Sequence, residues 1–343
     1  MNAPDLSVII PVYNRGELIR YTLESVQRAS TGLAVEVIII DDGSTTPAAD
    51  DIARLGYKPA KVVRQHNQGL LLARLSGLHH VTGKHVLFLD SDDLVSTNKF
   101  RLQLDAMRST GADVSYTDQA HTTLGGDYDA LSITPQGALQ DTTDPAVFFL
   151  QVQPAPHSPI FRTDYLRDLS DHAFFPPSPL YNPVAEIWFY QNAAPRRGHV
   201  VRVPGPHTII GGHPGARLTN HWERLAAASL GVMEAFARSC PADTPEARNA
   251  RRLLGQVAFH SWRKLARGFS PEFQSRELAL FRRLAIGSPL SALGGGGFQL
   301  LARMLGPINA ARLLKLYQTS SYEKIRTMDD ATFQQLLAAL PAP

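Results

Sequence analysis

Three short apolar runs, Leu6 to Val12, Val35 to Ile40 and Val86 to Leu89, each stop at a polar cluster: Tyr13-Asn14, Asp41-Asp42-Gly43-Ser44 and Asp90-Ser91-Asp92-Asp93. Continuous β-branched runs of this length read as strands buried on both faces. Amphipathic segments separate them, with Leu18, Ile19, Leu23 and Val26 at helical spacing after the first run and Leu71, Leu72, Leu75 and Leu78 before the third. Lys61 to Val63 and Asp113 to Tyr116 read as two further strands, and Asn98 to Met107 as a helix capped by Thr97. Alternating strand and helix predicts an α/β fold, a mainly parallel sheet flanked by helices. Ligands of such sheets bind beyond the carboxyl ends of the strands, which is where the three polar clusters fall.

The rest of the chain is less regular. Gly125 to Pro159 and the proline-rich Phe174 to Pro183 read as loops. From Trp222 the pattern is helical, with Thr244-Pro245 as an N-cap and N1 pair opening a helix to about Arg267. Gly294 to Gly297 is a hinge or loop, followed by further amphipathic helix. Two regions are expected, a catalytic domain over 1–218 and a helical extension over 219–343 that packs, dimerises or attaches to a membrane surface.

Composition excludes several classes. At 44% hydrophobic and 19% charged the chain is that of an ordinary globular protein. The single cysteine, Cys240, rules out an intrachain disulfide and suits a reducing compartment. No run approaches the length needed to span a bilayer, and no leader-like segment opens the chain. The expected location is the cytoplasm, with contact at the inner membrane face left open. A formal net charge of +3 gives no reason to expect a nucleic-acid partner. The basic residues concentrate between Arg248 and Arg326, where acidic ones are few.

Each polar cluster has a chemical reading. In Asp90-Ser91-Asp92-Asp93, two carboxylates one residue apart can address a divalent cation, Mn²⁺ or Mg²⁺, and the sugar phosphate beside it; a helix-capping Asp turn would carry the same residues. An Asp in Asp41-Asp42-Gly43-Ser44 can accept the imide N–H of uracil, and Gly43 allows close backbone approach; a solvent-facing turn is the alternative. Within Pro11-Val12-Tyr13-Asn14-Arg15, Tyr13 can flank a base and Asn14 can cap a helix. Arg74, a few residues past Asn67-Gln68-Gly69, is either a fixed cation near a diphosphate or a surface arginine.

The segments PVYNR, IIIDDGS, NQGLLLAR and LFLDSDD, in this order, resemble the inverting family 2 glycosyltransferases of GT-A fold over about residues 5–215. The resemblance implies a nucleotide-diphospho-sugar donor, often UDP-linked, a saccharide or lipid-linked saccharide acceptor, and a divalent metal. It implies that Asp41 reads the base, that Asp90 lies near ribose or sugar, and that Asp92 holds the metal, with Pro11, Tyr13, Asn14, Asp42, Arg74 and Ser91 around the donor. The family's catalytic base sits in a Glu-Asp pair opening a helix; here Ala185 stands at the Glu position and Glu186 at the Asp position, leaving Glu186 as the expected base. Gly211 to Gly215 resembles the stretch that closes such domains, so His213 is expected at the metal or diphosphate. A nucleotidyltransferase would need a glycine-rich basic loop after the first strand, which PVYNRGEL lacks. The Ala185 departure keeps open a catalytically degenerate binding or scaffolding protein.

Overall fold

The computed structural model describes residues 3–58, 61–215, 221–317 and 320–341. The N-terminal half alternates β1 (Leu6–Val12), α1 (Ile19–Ala29), β2 (Val35–Asp41), α2 (Ala48–Arg54), β3 (Lys61–Arg64), α3 (Leu70–Leu78) and β4 (His85–Phe88). After β5 (Leu94–Val95) and α4 (Lys99–Thr110) come β6 (Val114–Thr123), β7 (Thr134–Pro135), the short α5 (Pro145–Val147) and β8 (Ile160–Arg162). Then α6 (Thr163–Asp171), α7 (Ala185–Ala193) and β9 (Val200–Gly212) complete the sheet-bearing part. The strands form one sheet in the order β3-β2-β1-β4-β8-β6-β9-β5, with β7 on β6. β3, β2, β1 and β4 run parallel, as do β6 and β9, while β8 is antiparallel to both its neighbours.

Strand alternation sorts β1 between two cores. Leu6, Val8, Ile10 and Val12 pack with Ile19, Leu23 and Val26 of α1 and with Phe100 and Leu104 of α4. Ile9 faces the opposite layer, where Leu71 and Ala73 of α3 and Trp188 and Phe189 of α7 lie. Successive strand side chains point to opposite faces, so a strand covered on both faces is nearly all apolar; Ser7, the polar residue of β1, is buried and hydrogen-bonded to Glu36.

The C-terminal region consists of α8 (Trp222–Ser239), α9 (Pro245–Lys264), α10 (Pro271–Leu284), α11 (Gly296–Leu305), α12 (Pro307–Lys315), the short α13 (Tyr322–Ile325) and α14 (Asp330–Ala339). The boundary expected at 218/219 lies outside the described residues. The apolar core continues without a break from Ile9 and Trp188 through Leu230, Phe236, Phe259 and Phe281. Arg276 of α10 donates to both carboxylate oxygens of Glu234 on α8, a buried ion pair joining two of these helices. Among the described residues no helix is long and apolar enough to cross a membrane.

Two caps differ from expectation. Helix α4 begins at Lys99 with Asn98, not Thr97, in the cap position and no side-chain cap bond. Asn14 does not cap a helix: at φ 50° its backbone is left-handed, a region asparagine tolerates, and its Oδ1 accepts from Thr45 N at 2.8 Å. Thr244 caps α9 as expected, accepting from Ala247 N.

Candidate active site

The residues singled out from the sequence lie at the carboxyl ends of β1, β2 and β4 and on the helices that approach them. At the end of β2, Asp41 is only 1% exposed, and its carboxylate accepts from Ser44 N at 2.8 Å, Ala48 N at 3.0 Å and Arg64 Nη1 at 3.2 Å. Asp42 accepts from Gln65 Nε2 at 2.8 Å, Gln68 N at 2.9 Å and Gly69 N at 2.7 Å. Both carboxylates are therefore turned inward and occupied, shaping the turns at 43–48 and 65–69. Asp41 thus takes three of the about four hydrogen bonds a carboxylate can accept, one of them on Oδ1. Pro11 is buried and pairs with Ile40 at the end of β1. Asn14 N donates to Ser44 Oγ, which ties the β1 and β2 ends together. Tyr13 is exposed.

Arg74 is no surface arginine. On α3 it is 1% exposed, because α7 arrives over it from more than a hundred residues away and brings Glu186. Its Nη2 donates to Asp90 Oδ1 at 2.7 Å, and its Nη1 lies 3.8 Å from Glu186 Oε2. Burial disfavours the charge, yet Asp90 and Glu186 outweigh it and raise the pKa of Arg74. Among the described residues Nη1 and Nε have no hydrogen-bond partner. A buried donor without an acceptor is costly, and the ion pair with Glu186 offsets part of that cost at Nη1. Glu186, in the first turn of α7, keeps 29% of its side chain exposed. Burial raises its pKa, Arg74 opposes that, and Asp90 adds to it. Ala185 is fully buried in the core. A carboxylate at 185 would be desolvated, so at this helix start Glu186 is the position that meets Arg74 and Asp90.

In the third cluster, Ser91, Asp92 and Asp93 are buried and Asp90 is half-buried. Asp92 Oδ2 lies 2.8 Å from His213 Nε2 and 3.3 Å from Arg15 Nη2. Among the described residues no three His, Cys, Asp or Glu side chains gather to hold a metal, so Asp92 and His213 offer two protein donors. At 2.8 Å the two are hydrogen-bonded to each other, with Arg15 on the same carboxylate oxygen. A cation bound by this pair would replace that hydrogen bond and take its remaining ligands from phosphate oxygens and water.

Several residues that hold this arrangement escape sequence reasoning. Asp93 Oδ1 accepts from Gly211 N at 2.9 Å, and Asp93 Oδ2 faces the buried His157 Nδ1 at 3.1 Å. Burial, aided by Lys99, pushes the His157 pKa down to about 3, so this imidazole is neutral. Gly211 is required sterically, since a Cβ there would stand 2.0 Å from the Asp92 carbonyl oxygen. Asn182, in the proline-rich stretch, accepts from Leu71 N at 3.0 Å and donates to Gln68 O at 3.2 Å. It presses on Gly69 at φ 89°, where a Cβ would overlap the Asn182 amide at 1.9 Å. Arg15 had a signal, its place in PVYNR; Asn182 and His157 had none.

Comparison with known proteins matches residues 7–169 to the family described as glycosyl transferase family 2. The match spans 163 of the 343 residues, a little under half of the chain. A protein of Rickettsia conorii described as an uncharacterized glycosyltransferase is 36% identical over 135 residues, 37% of this chain and 21% of that protein. The minor teichoic acid biosynthesis protein GgaA of Bacillus subtilis is 37% identical over 106 residues, 29% of this chain and 24% of that protein. The chain thus spans only about a quarter or less of these relatives. The crystal structure of S. aureus TarS 1–349 in complex with UDP-GlcNAc superposes with a TM-score of 0.64 at 19% identity, covering 95% of this chain and 93% of that one. The fold likeness therefore extends beyond the family 2 segment into the C-terminal helices, and the expected GT-A-like architecture is shown.

Proposed function

We propose that this chain is a metal-dependent, inverting glycosyltransferase that moves a sugar from a nucleotide-diphospho-sugar to an acceptor hydroxyl. The observation that carries the reading is the joining of Arg74, Asp90 and Glu186 into one charged group beside the Asp92–His213 pair, at the strand ends of a family 2 domain. The UDP-GlcNAc bound by the TarS structure supports a UDP-linked donor, and the teichoic acid role in the name of GgaA supports a saccharide or lipid-linked saccharide acceptor.

In this mechanism Glu186 removes the proton of the acceptor hydroxyl. The oxygen then attacks the anomeric carbon opposite the leaving nucleoside diphosphate, and one displacement inverts the configuration. Burial raises the affinity of Glu186 for a proton, which strengthens it as a base near neutral pH. Arg74 fixes its carboxylate and keeps it ionised. Asp92 and His213 would hold Mn²⁺ or Mg²⁺, which when bound stabilises negative charge on the departing diphosphate. Asp90 orients Arg74 from the sugar side, and Tyr13, exposed at the end of β1, is placed to flank the nucleoside. Asp41 and Asp42 support the nucleoside side through the turns they brace.

The test is release of nucleoside diphosphate from a panel of UDP-, GDP- and dTDP-sugars with Mn²⁺ present. Release from one donor class, lost on Glu186→Gln while donor binding persists, supports the reading. Donor binding with no turnover under any acceptor tried would identify a degenerate binding protein, and no binding at all would end the nucleotide-sugar account.

A further inference from the structure

Helices α11 and α12 form a hairpin whose inner side, Phe298, Ala302, Ala310 and Ala311, is buried. Leu300 and Met304, one turn apart on α11, point the opposite way from Phe298 and Ala302, and Leu316 and Tyr317 follow the end of α12. Met304 is 77% exposed and Tyr317 82%. Large exposed apolar side chains on adjoining helices mark a docking surface.

Charge selects the occupant. Residues 278–322 include Arg282, Arg283, Arg303, Arg312 and Lys315 and contain no Asp or Glu. Beside α12 a pocket of about 400 Å³ is lined by Arg263, Lys264, Ala311, Leu314 and Lys315, three cations with two apolar neighbours. Arg263 is held over the Phe298 ring at 4.4 Å and donates to the Leu293 carbonyl, and Lys315 Nζ lies 4.6 Å from the Trp262 ring. Burial pushes the Glu277 carboxyl up to about 8 and the half-buried Lys315 down to about 8, each opposed by the other's charge. A two-fold contact with a second copy would set cations against cations. An anionic lipid surface answers both features, with phosphates for the basic residues and acyl chains for the apolar ones.

We propose that the α11–α12 face docks on an anionic membrane surface, a lipid phosphate entering the Arg263–Lys264–Lys315 pocket while Leu300, Met304, Leu316 and Tyr317 reach the acyl boundary. The proposal is independent of the glycosyl-transfer reading. It is tested by flotation of the full chain with phosphatidylcholine vesicles, with and without phosphatidylglycerol. Binding is expected only with phosphatidylglycerol and falls as salt rises. The exposed-charge variant Lys264→Gln/Arg303→Gln/Arg312→Gln weakens it about a hundredfold, at about fivefold per cation, and Met304→Glu/Tyr317→Glu abolishes it. Both variants keep the wild-type melting temperature, because the substituted side chains are exposed. Equal binding to neutral vesicles, or none to either kind, overturns the proposal. So does sedimentation showing a dimer that Met304→Glu/Tyr317→Glu dissolves, which assigns the face to a second copy.

Discussion

Replacing Arg74 by Gln should move the acid limb of the rate profile upward. Glu186 must be deprotonated to act as a base, so activity falls as pH drops through its pKa, which burial holds above the ordinary glutamate range. Arg74 is the cation opposing that rise, with Nη1 3.8 Å from the carboxylate. Two unit charges at this distance interact by about 4 kcal/mol at an effective dielectric of 20 and about 1 kcal/mol in bulk water. Glu186 keeps 29% of its side chain exposed, which puts the interaction toward the lower figure, about 1–2 kcal/mol. One pH unit corresponds to about 1.4 kcal/mol, so Arg74→Gln shifts the limb up by about one pH unit, and Arg74→Lys shifts it less. The assay is kcat/KM for nucleoside diphosphate release across pH, with Glu186→Gln as the reference that loses the limb and about 10²–10⁴-fold in rate. A limb that stays in place or moves down in Arg74→Gln, or that survives in Glu186→Gln, refutes the assignment.

Asp92→Ala should abolish the Mn²⁺ dependence of donor binding, and His213→Gln should weaken Mn²⁺-supported binding about 10- to 100-fold; calorimetry with and without Mn²⁺ checks both, and an unchanged metal dependence contradicts the pairing. Gly211→Ala forces a Cβ against the Asp92 carbonyl, an overpacking cost of about 1–3 kcal/mol, seen as a melting temperature lowered by about 2–6 °C; an unaltered melt would show that the loop yields freely. Arg276→Ala strands the buried Glu234 and should cost about 3–5 kcal/mol in denaturant unfolding, most of it recovered in Arg276→Met/Glu234→Met. A double variant no more stable than the single would count against that pair's cost being desolvation.

The parallel half of the fold was legible because β1, β2 and β4 are mainly apolar runs that stop at polar clusters. β1 and β2 were readable to within a residue, and the active-site clusters came with them. β9 was not, because Pro204, Gly205 and Pro206 interrupt Val200–Gly212, and its pairing with β6 slips register between Thr117 and Gln119. Neither strand keeps a clean two-residue period across the irregularity. The Phe148–Val152 turn of π-helix fell within a stretch that read as loop. Within the site, residue types and strand ends pointed to Asp90 and Asp92, and the family resemblance to Glu186, but the sequence could not show that Arg74 is buried between carboxylates. That depends on where α7 lands. The inward turn of Asp41 and Asp42 was equally hidden, since an Asp facing solvent and one bonded to backbone amides share the same residues.

The most direct test of the central claim is a crystal structure of the chain soaked with Mn²⁺ and a UDP-sugar that it turns over. The account predicts the diphosphate against Asp92 and His213, with the anomeric carbon open toward Glu186. A donor bound with its sugar remote from Glu186, or a diphosphate on another surface, would contradict it.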